Sequence, residues 1–456
     1  MASVPDGRPF EASELAELFL PLEVSGGLVV AVSGGSDSTA LLHLIARWRA
    51  GVHTELPVLV ATVDHGLRPE AADEARAVGL MAANLGLPHR ILAWSGEKPA
   101  GNLQNAARDA RYALLAEAAR HFGADTIVTA HTRDDQAETF LLALQRGSGV
   151  YGLGGMRPMR ALGDLRIVRP LLDVARARLR AMLVAQGVTW FDDPSNENAR
   201  FARVRLRQSR AALDALGLTM SGLAETAARM ARAADALEAA ADELIARSST
   251  LFLGGIILID PVPLLQAPDE IRLRAMARLL AALSGAPYVP RFERLQRLLD
   301  AIEAGIRFGG SRQLTLSGVT IRLDRGILVL FRETGREGFA PLTIGSGETV
   351  VWDRRVRVSL SLSAPPLQIR AIGSGARAVI DTPQARSLPA AALATLPVLV
   401  TETGEIVAIL GLEPANETLL FEFGEAASFV AERIRGKREA RGYGGRGTEN
   451  EEDIGT

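Results

Sequence analysis

The sequence predicts an α/β chain: a domain built on a parallel sheet, then a helical domain, then a small β-rich domain. Three observations carry this. Apolar strand-like runs alternate with amphipathic helical stretches over residues 1–210. Between 223 and 244, leucine or methionine recurs every seven residues. Beyond 311 the pattern changes to period two, punctuated by glycine turns.

Leu28-Val-Val-Ala-Val32 is a continuous apolar run, as expected of a strand buried on both faces. Ser38–Arg49 reads as a helix, Val58–Val63 as a second strand and Asn102–Phe122 as a long amphipathic helix. Thr126–Ala130 reads as a third strand, followed by helix from Asp134 to Arg146. Each strand ends in polar residues: Ser33–Ser38, Asp64-His65, and His131 with Asp134-Asp135. Ligands of open α/β sheets sit at the carboxyl ends of strands, so three clusters there point to one site. A glycine-rich loop, Gly147–Gly155, has the composition of a lid.

In the middle region Leu223, Met230, Leu237 and Leu244 alternate with Ala227, Ala234 and Ala241, an a/d seam with small residues in alternate layers. Ile271–Leu283 is its expected partner. Val319–Leu323 and Ile327–Phe331 flank Asp324-Arg325-Gly326 as a hairpin. Val350–Leu362 alternates as a strand, and Leu399–Leu410 is a strand pair turning near Thr403-Gly404. The expected division is 1–210, 211–340 and 341–436, with a disordered tail at 437–456 that is rich in Gly, Arg and Glu.

With 51 basic and 53 acidic residues, the net charge of −2 excludes a uniformly basic nucleic-acid-coating chain. A local patch is available, because residues 157–210 hold 12 Arg against 5 acids. Cysteine is absent, which excludes disulfides, thiolate metal sites, iron–sulfur clusters and thiol nucleophiles carried by this chain. No basic leader followed by an apolar run, and no span of ~20 apolar residues, is present. The expectation is a cytoplasmic protein with no membrane contact. Nothing in the sequence decides oligomeric state; a homodimer is one expectation.

The strongest chemical signal is Ser33-Gly34-Gly35-Ser36-Asp37-Ser38, between a buried strand and a helix. Glycines allow a tight turn and close approach of a ligand, and the helix start offers unpaired N–H groups and a partial positive charge. Together these form an anion cradle. It lacks the lysine of the Gly-Lys-Ser/Thr phosphate loop and the three spaced glycines of dinucleotide folds. A serine-rich helix cap is the plain alternative.

This hexapeptide resembles the pyrophosphate loop of N-type ATP pyrophosphatases, the PP-loop superfamily. Further motifs narrow the likeness: Val63-Asp-His-Gly-Leu-Arg68, Asn102-Leu-Gln104 with Ala106-Ala-Arg108 and Arg111-Tyr112, Thr129-Ala-His-Thr-Arg-Asp-Asp-Gln-Ala-Glu-Thr139, Arg146-Gly-Ser-Gly149, Arg169-Pro-Leu-Leu172, and Trp190-Phe-Asp-Asp-Pro-Ser-Asn196 before Phe201–Arg207. In this order, over roughly residues 28–210, the set resembles the tRNA(Ile)-lysidine synthetases. One departure stands out: His131 is followed by Thr132 where many relatives carry a second histidine.

The resemblance implies a ligase. ATP adenylylates C2 of the wobble cytidine of tRNA(Ile) with a CAU anticodon, releasing pyrophosphate, and the ε-amine of free L-lysine displaces AMP. Lysidine then pairs with A and moves tRNA identity from methionine to isoleucine. ATP and Mg²⁺ are the implied cofactors. Ser33, Gly34, Gly35, Ser36, Asp37 and Ser38 would bind ATP, with Asp64 lining the adenosine pocket or serving a structural role. Asp37 would hold Mg²⁺ or orient the loop. Arg111, on the long helix, would reach the phosphates, or is a solvated helix arginine. His131, Asp135 and Glu138 stand at i, i+4 and i+7, which reads as one helix face; two carboxylates there suit a lysine ammonium or Mg²⁺, and a positioned carboxylate or imidazole can take the amine's proton. The plain alternative is an acidic cluster at a helix N-terminus, favoured by the helix dipole. Arg203, Arg205 and Arg207 alternate beside Trp190 and Phe191, which suits RNA backbone contact and base stacking, or an exposed Arg-rich strand or turn. A tRNA thiolase of the same superfamily relays sulfur through cysteine or an iron–sulfur cluster, which the absent cysteine disfavours. A non-catalytic nucleotide sensor would need neither the Asp135/Glu138 pair nor the basic segment.

Overall fold

The computed structural model describes residues 8–52, 55–66, 70–96, 98–99, 101, 103–192, 202–252, 255–285, 290–308, 313–335, 338–380, 382–410 and 419–423. Leu67, Arg68, Asn102, the 193–201 segment and the 437–456 tail lie outside these residues. By internal contacts the chain forms two compact units, Met1–Ala234 and Asp235–Thr456.

The first unit runs α1 (Ala12–Phe19), β1 (Leu28–Ala31), α2 (Ser36–Val52), β2 (Val58–Asp64), α3 (Ala71–Asn84), β3 (His89–Ala93), α4 (Leu103–Phe122), β4 (Thr126–Val128), α5 (Arg133–Gln145), α6 (Val150–Leu153), β5 (Met159–Leu162), β6 (Leu165–Val168), α7 (Arg176–Ala185), α8 (Ala202–Gln208), α9 (Arg210–Ala215) and the start of α10 (Met220–Ser248). Its sheet has the order β3-β2-β1-β4-β6-β5 and is parallel except for the β5–β6 hairpin. The strand at His89–Ala93 and its preceding helix went unread in the sequence, because β3 is a half-exposed edge without an apolar run. Leu28 and Val30 pack into one face with α1, α2, α3 and α7, while Val29 and Ala31 pack into the other with Tyr112, Leu115 and Ala119 of α4. A strand buried on both faces therefore reads as uninterrupted apolar sequence. β1 pairs with β2 on one side and β4 on the other, so the chain reverses direction across the sheet there. The crevice at that switch point is where α/β sheets bind ligands.

The second unit holds the end of α10, β7 (Ser249–Phe252), β8 (Ile256–Ile259), α11 (Pro261–Gln266), α12 (Asp269–Ser284), α13 (Phe292–Phe308), β9 (Gln313–Leu316), β10 (Val319–Asp324) and β11 (Ile327–Arg332). The sheet order is β7-β8-β11-β10-β9. Ile257, Ile259, Val319 and Leu330 face α12 and α13, whereas Ile256, Val329 and Phe331 face Leu388, Leu393 and Val398 of the β-rich part. The seam prediction holds in part: Ala241 and Leu244 pack with α12, and Glu238 and Asp242 pair with Arg278 of that helix. Ala227 instead packs on Phe140 of α5 in the first unit. The hairpin forms as expected, with Arg325 and Gly326 both at positive φ (52° and 81°).

The β-rich part carries a four-stranded and a three-stranded sheet, built from Leu342–Ile344, Leu367–Ala371, Pro397–Val400 and Ile406–Ile409, and from Thr349–Trp352, Val356–Leu360 and Leu419–Phe423. The expected strand Val350–Leu362 is a hairpin, because Asp353 and Arg354 adopt positive φ and turn the chain. No helix among the described residues is long and apolar enough to cross a membrane.

Candidate active site

The loop after β1 is shaped by its own hydroxyls. The Ser38 hydroxyl accepts from Ser33 N (3.1 Å) and donates to Gly35 O (3.0 Å), and Thr39 Oγ1 donates to Gly34 O (3.2 Å). Gly34 has φ +85°, and a Cβ there would meet the Phe191 ring at 3.0 Å and Val78 Cγ2 at 3.3 Å. Only glycine fits both the conformation and the space. Phe191 N donates to Gly34 O (2.9 Å), so this aromatic grips the loop. Trp190 packs on the core, with the Arg180 guanidinium 5.9 Å from its ring centroid. Phe191 also lines the cavity described below, and both rings are half-buried.

After β4 the chain enters α5. Thr132 is its N-cap: Thr132 N and Oγ1 both donate to Asp135 Oδ2 at 2.9 Å, and Asp135 N returns a bond to Thr132 Oγ1 at 3.4 Å. This capping box gives Thr132 a task that an imidazole does not do. It also corrects the helix-face reading. His131 precedes the helix and bonds Thr129 Oγ1 through Nδ1 (2.9 Å). Asp135 and Glu138 are on α5, with Asp134 beside them, and all three are buried.

Loop, helix and Arg111 meet in one cavity of about 910 Å³, lined by Ser33, Gly35, Ser36, Asp37, Ser38, Arg111, His131, Asp134, Asp135 and Glu138. Asp64 is not among the lining residues; its Oδ1 closes a local turn by accepting from Gly66 N (2.8 Å). His65 sits edge-on to Trp94, and burial followed by the nearby Arg111 charge lowers its pKa.

Arg176, at the start of α7, is the residue the sequence reading missed. Its Nε donates to Asp37 Oδ2 (2.7 Å) and its Nη2 to Asp135 Oδ1 (2.8 Å), while Nη1 lies 3.6 Å from Glu138 Oε1. Its backbone N–H donates to Asp134 Oδ2 (2.9 Å). One residue thus ties the loop aspartate to all three acids of α5. It sits 139 residues from Asp37 and inside a basic stretch that composition assigns wholesale to RNA. Burial works against the Arg176 charge, but Asp135 and Asp37 outweigh it and raise its pKa. For Asp135, burial pushes upward, yet Arg176 and the Thr132 N–H prevail and hold it below its ordinary value. For Asp37, burial outweighs Arg176 and the pKa rises. Burial lowers His131 to about 3, so the imidazole is neutral.

Arg203, Arg205 and Arg207 lie within α8, neither a strand nor a turn, so the alternating arginines do not share a face. Arg203 and Arg207, one turn apart, reach the same helix: Arg207 holds Glu138 through Nε (2.7 Å) and Nη2 (3.2 Å), and Arg203 Nη2 donates to Thr139 Oγ1 (3.4 Å). Arg205 is exposed. Arg210, one of the twelve, pairs with Asp134 (3.1 Å). The Gly147–Gly155 loop contains α6, and the Gln136 side chain bonds both Met156 N (2.7 Å) and Met156 O (2.8 Å), so its far end is anchored.

Among the described residues no three metal-ligating side chains converge. Asp37 nonetheless faces the cavity beside the loop hydroxyls, a hard-oxygen set of the kind that Mg²⁺ completes with water and substrate phosphate.

A switch-point cavity closed by a serine–glycine loop and a helix of acids defines a nucleotide-using α/β enzyme, and residues 10–211 match the model of the PP-loop domain. A protein of Methylobacterium nodulans named tRNA(Ile)-lysidine synthase is 48% identical over 341 residues, covering 72% of this chain and 98% of that protein. Proteins of the same name from Methylobacterium sp. strain 4-46 and Bradyrhizobium sp. strain BTAi1 are 46% and 45% identical, covering 72% and 70% of this chain and 96% and 94% of theirs. The chain belongs to the tRNA(Ile)-lysidine synthase family.

Proposed function

We propose that this chain is a cytoplasmic ligase that converts the wobble cytidine of tRNA(Ile) with a CAU anticodon to lysidine, using ATP, Mg²⁺ and free L-lysine. One observation carries the reading: the strand-end loop, Arg111 and the α5 carboxylates line a single cavity at the sheet's switch point. The loop residues Ser33–Ser38 cradle the ATP phosphates through backbone N–H groups and hydroxyls. Asp37 would hold Mg²⁺, which neutralises phosphate charge when bound. Arg111 has no carboxylate partner among the described residues, and burial lowers its pKa, so an anion in the cavity relieves its desolvation.

C2–O adenylylation releases pyrophosphate. The ε-nitrogen of lysine then forms its bond to C2 as the C2–O bond to AMP breaks. His131, neutral and weakly basic, suits hydrogen bonding to the substrate better than proton removal. The amine's partner is then Glu138. Its oxygens already accept from Arg207, and each carboxylate oxygen has a second lone-pair direction left for an ammonium. Residues 1–210 form the catalytic domain in this reading, 211–340 the helical domain and 341–436 a further tRNA-binding domain, with homodimerisation as the assembly.

The test is incubation with ATP, L-lysine and an unmodified tRNA(Ile) transcript, followed by mass analysis of the nucleosides. A product at the mass of cytidine plus lysine less water is expected, dependent on all three. Cytidine recovered unchanged while AMP accumulates would overturn the reading.

A further inference from the structure

Near the cavity lies a group of arginines that the acidic network does not reach. Arg108, Arg111 and Tyr112 share one face of α4 at i, i+3 and i+4. Arg160 comes from the edge strand β5, and Arg169 follows β6. The guanidinium carbons of Arg108 and Arg160 lie 5.3 Å and 5.0 Å from the Tyr112 ring centroid. Arg169 is 3% exposed, donates to Arg157 O (2.8 Å) and leaves its buried Nε without a partner among the described residues. None of these four arginines has a carboxylate partner among the described residues. Their mutual repulsion contributes to the lowered pKa of Arg111 and of Arg169, behind burial.

Such an arrangement is unfavourable alone. Like charges gathered in a partly buried place destabilise the fold unless something negative completes them. No carboxylate among the described residues supplies it, although Asp135 of α5 is close enough to act on His131 together with Arg108, Arg111 and Arg169. The four also differ in depth. Arg111 lines the cavity, whereas Arg108 and Arg160 are exposed and lie outside its lining.

We propose that Arg108 and Arg160, braced on Tyr112, form a phosphodiester-binding strip at the cavity mouth, holding the RNA backbone beside the nucleotide that enters the site. A polynucleotide that delivers one base into a cavity leaves the phosphates on either side of that base at the rim. Two exposed guanidiniums without carboxylates meet that requirement. Two of the three arginines first expected to do so are engaged otherwise, since Arg203 and Arg207 bond Thr139 and Glu138. The ATP phosphates have their own cradle in the Ser33–Ser38 loop. Tyr112 adds a surface that fixes the two guanidinium planes by cation–π contact, so less side-chain freedom is lost on binding.

The strip rests on the RNA-modifying reading, but its test separates from that of the reaction. Affinity for the tRNA(Ile) transcript is measured across a series of salt concentrations for the parent, for Arg108→Gln/Arg160→Gln and for Arg108→Lys/Arg160→Lys. ATP affinity is measured without RNA. The glutamine pair should flatten the log–log salt slope by roughly 1.4–1.8, two contacts at ~0.7–0.9 each. The lysine pair should keep the slope. ATP affinity should not change. An unchanged slope in the glutamine pair, or a loss confined to ATP, overturns the strip even where lysidine forms. A flattened slope in a protein that makes no lysidine leaves the strip standing and removes the reaction. Both variants lie at exposed positions, and matching unfolding midpoints confirm that the comparison is between folded proteins.

Discussion

Two charged regions of the first unit lie close together and are built on opposite rules. Along α5, acids and arginines answer each other: Asp37, Asp134, Asp135 and Glu138 all bond Arg176, Arg207 or Arg210. Around Tyr112, four arginines gather with no carboxylate partner among the described residues. The first region is neutralised internally and can be rigid before any ligand arrives. The second stays electrostatically incomplete. Pre-formed pairing suits groups that must hold fixed geometry for chemistry, because buried charges are tolerable only when paired. Unpaired arginines suit a polyanion that comes and goes.

The largest effect should come from breaking the paired region at its centre. Arg176→Gln removes the cation shared by the half-buried Asp37 and the buried Asp135. Leaving buried carboxylates unpaired costs about 3–5 kcal/mol. AMP formation should fall by about 100-fold or more, as expected when a preorganised charge at a reacting site is lost. The measurements are denaturant unfolding and AMP release. Parent-like values in both would mean that the acids need no shared cation and that the two regions do not differ in kind.

Glu138→Gln comes next. It keeps the side-chain shape and one acceptor toward Arg207. Losing a charge-assisted bond of about 1.5–3 kcal/mol should raise the KM for lysine by roughly 10–100-fold, with tRNA adenylylation retained. If kcat falls while the lysine KM stays put, Glu138 serves Arg207 and not the amine.

What the sequence made legible follows from locality. The hairpin at Arg325-Gly326, the buried strand at Leu28 and the serine–glycine loop are each specified by a few contiguous residues, and each stands where expected. The acids of α5 were legible for the same reason. Arg176 was not, because its partners are 139 and 41 residues away and no local pattern marks one arginine among twelve. The Arg203–Arg207 alternation reads as one row of RNA contacts or as a strand or turn, yet one helical turn puts Arg203 and Arg207 on the same side and turns Arg205 away. His131 was placed on a helix that starts two residues later, because a threonine N-cap reads in sequence like one more helical residue.

A smaller effect lies in the pH dependence. His131 titrates near 3 in the fold against an ordinary value of 6.5, with burial as the main cause. A depressed folded pKa stabilises above the unfolded value and loses that contribution as pH falls toward the folded one. The parent should therefore lose stability from about pH 6.5 down to about pH 3, and His131→Gln should lose less over the same window. Asp37 acts with the opposite sign. Its raised pKa gives stability below the ordinary carboxylate range that is lost as pH rises through the folded value. That makes His131→Gln the cleaner variant, read by unfolding midpoints across the pH series. Parallel curves would place His131 in contact with water in the unliganded protein.

The smallest effect concerns Arg205, which separates the two regions most finely. It lies on the same short helix as Arg203 and Arg207, but it is exposed while they reach α5. If RNA affinity follows arginine content alone, Arg205→Gln and Arg108→Gln should flatten the salt slope equally. If it follows pairing, the cost depends on where each guanidinium already has company. Arg108 meets no acid among the described residues, so an arriving phosphate displaces no described partner. Arg205 already interacts within the chain, so a phosphate there does not meet a free guanidinium. The expected slope change for Arg205→Gln is therefore less than one full contact, below about 0.7, against roughly 0.7–0.9 for Arg108→Gln. Titrating the tRNA(Ile) transcript into each single variant at matched salt concentrations measures both. Equal slopes would show that the patch works by charge density, and that the unpaired state of the Tyr112 cluster has no special bearing on RNA.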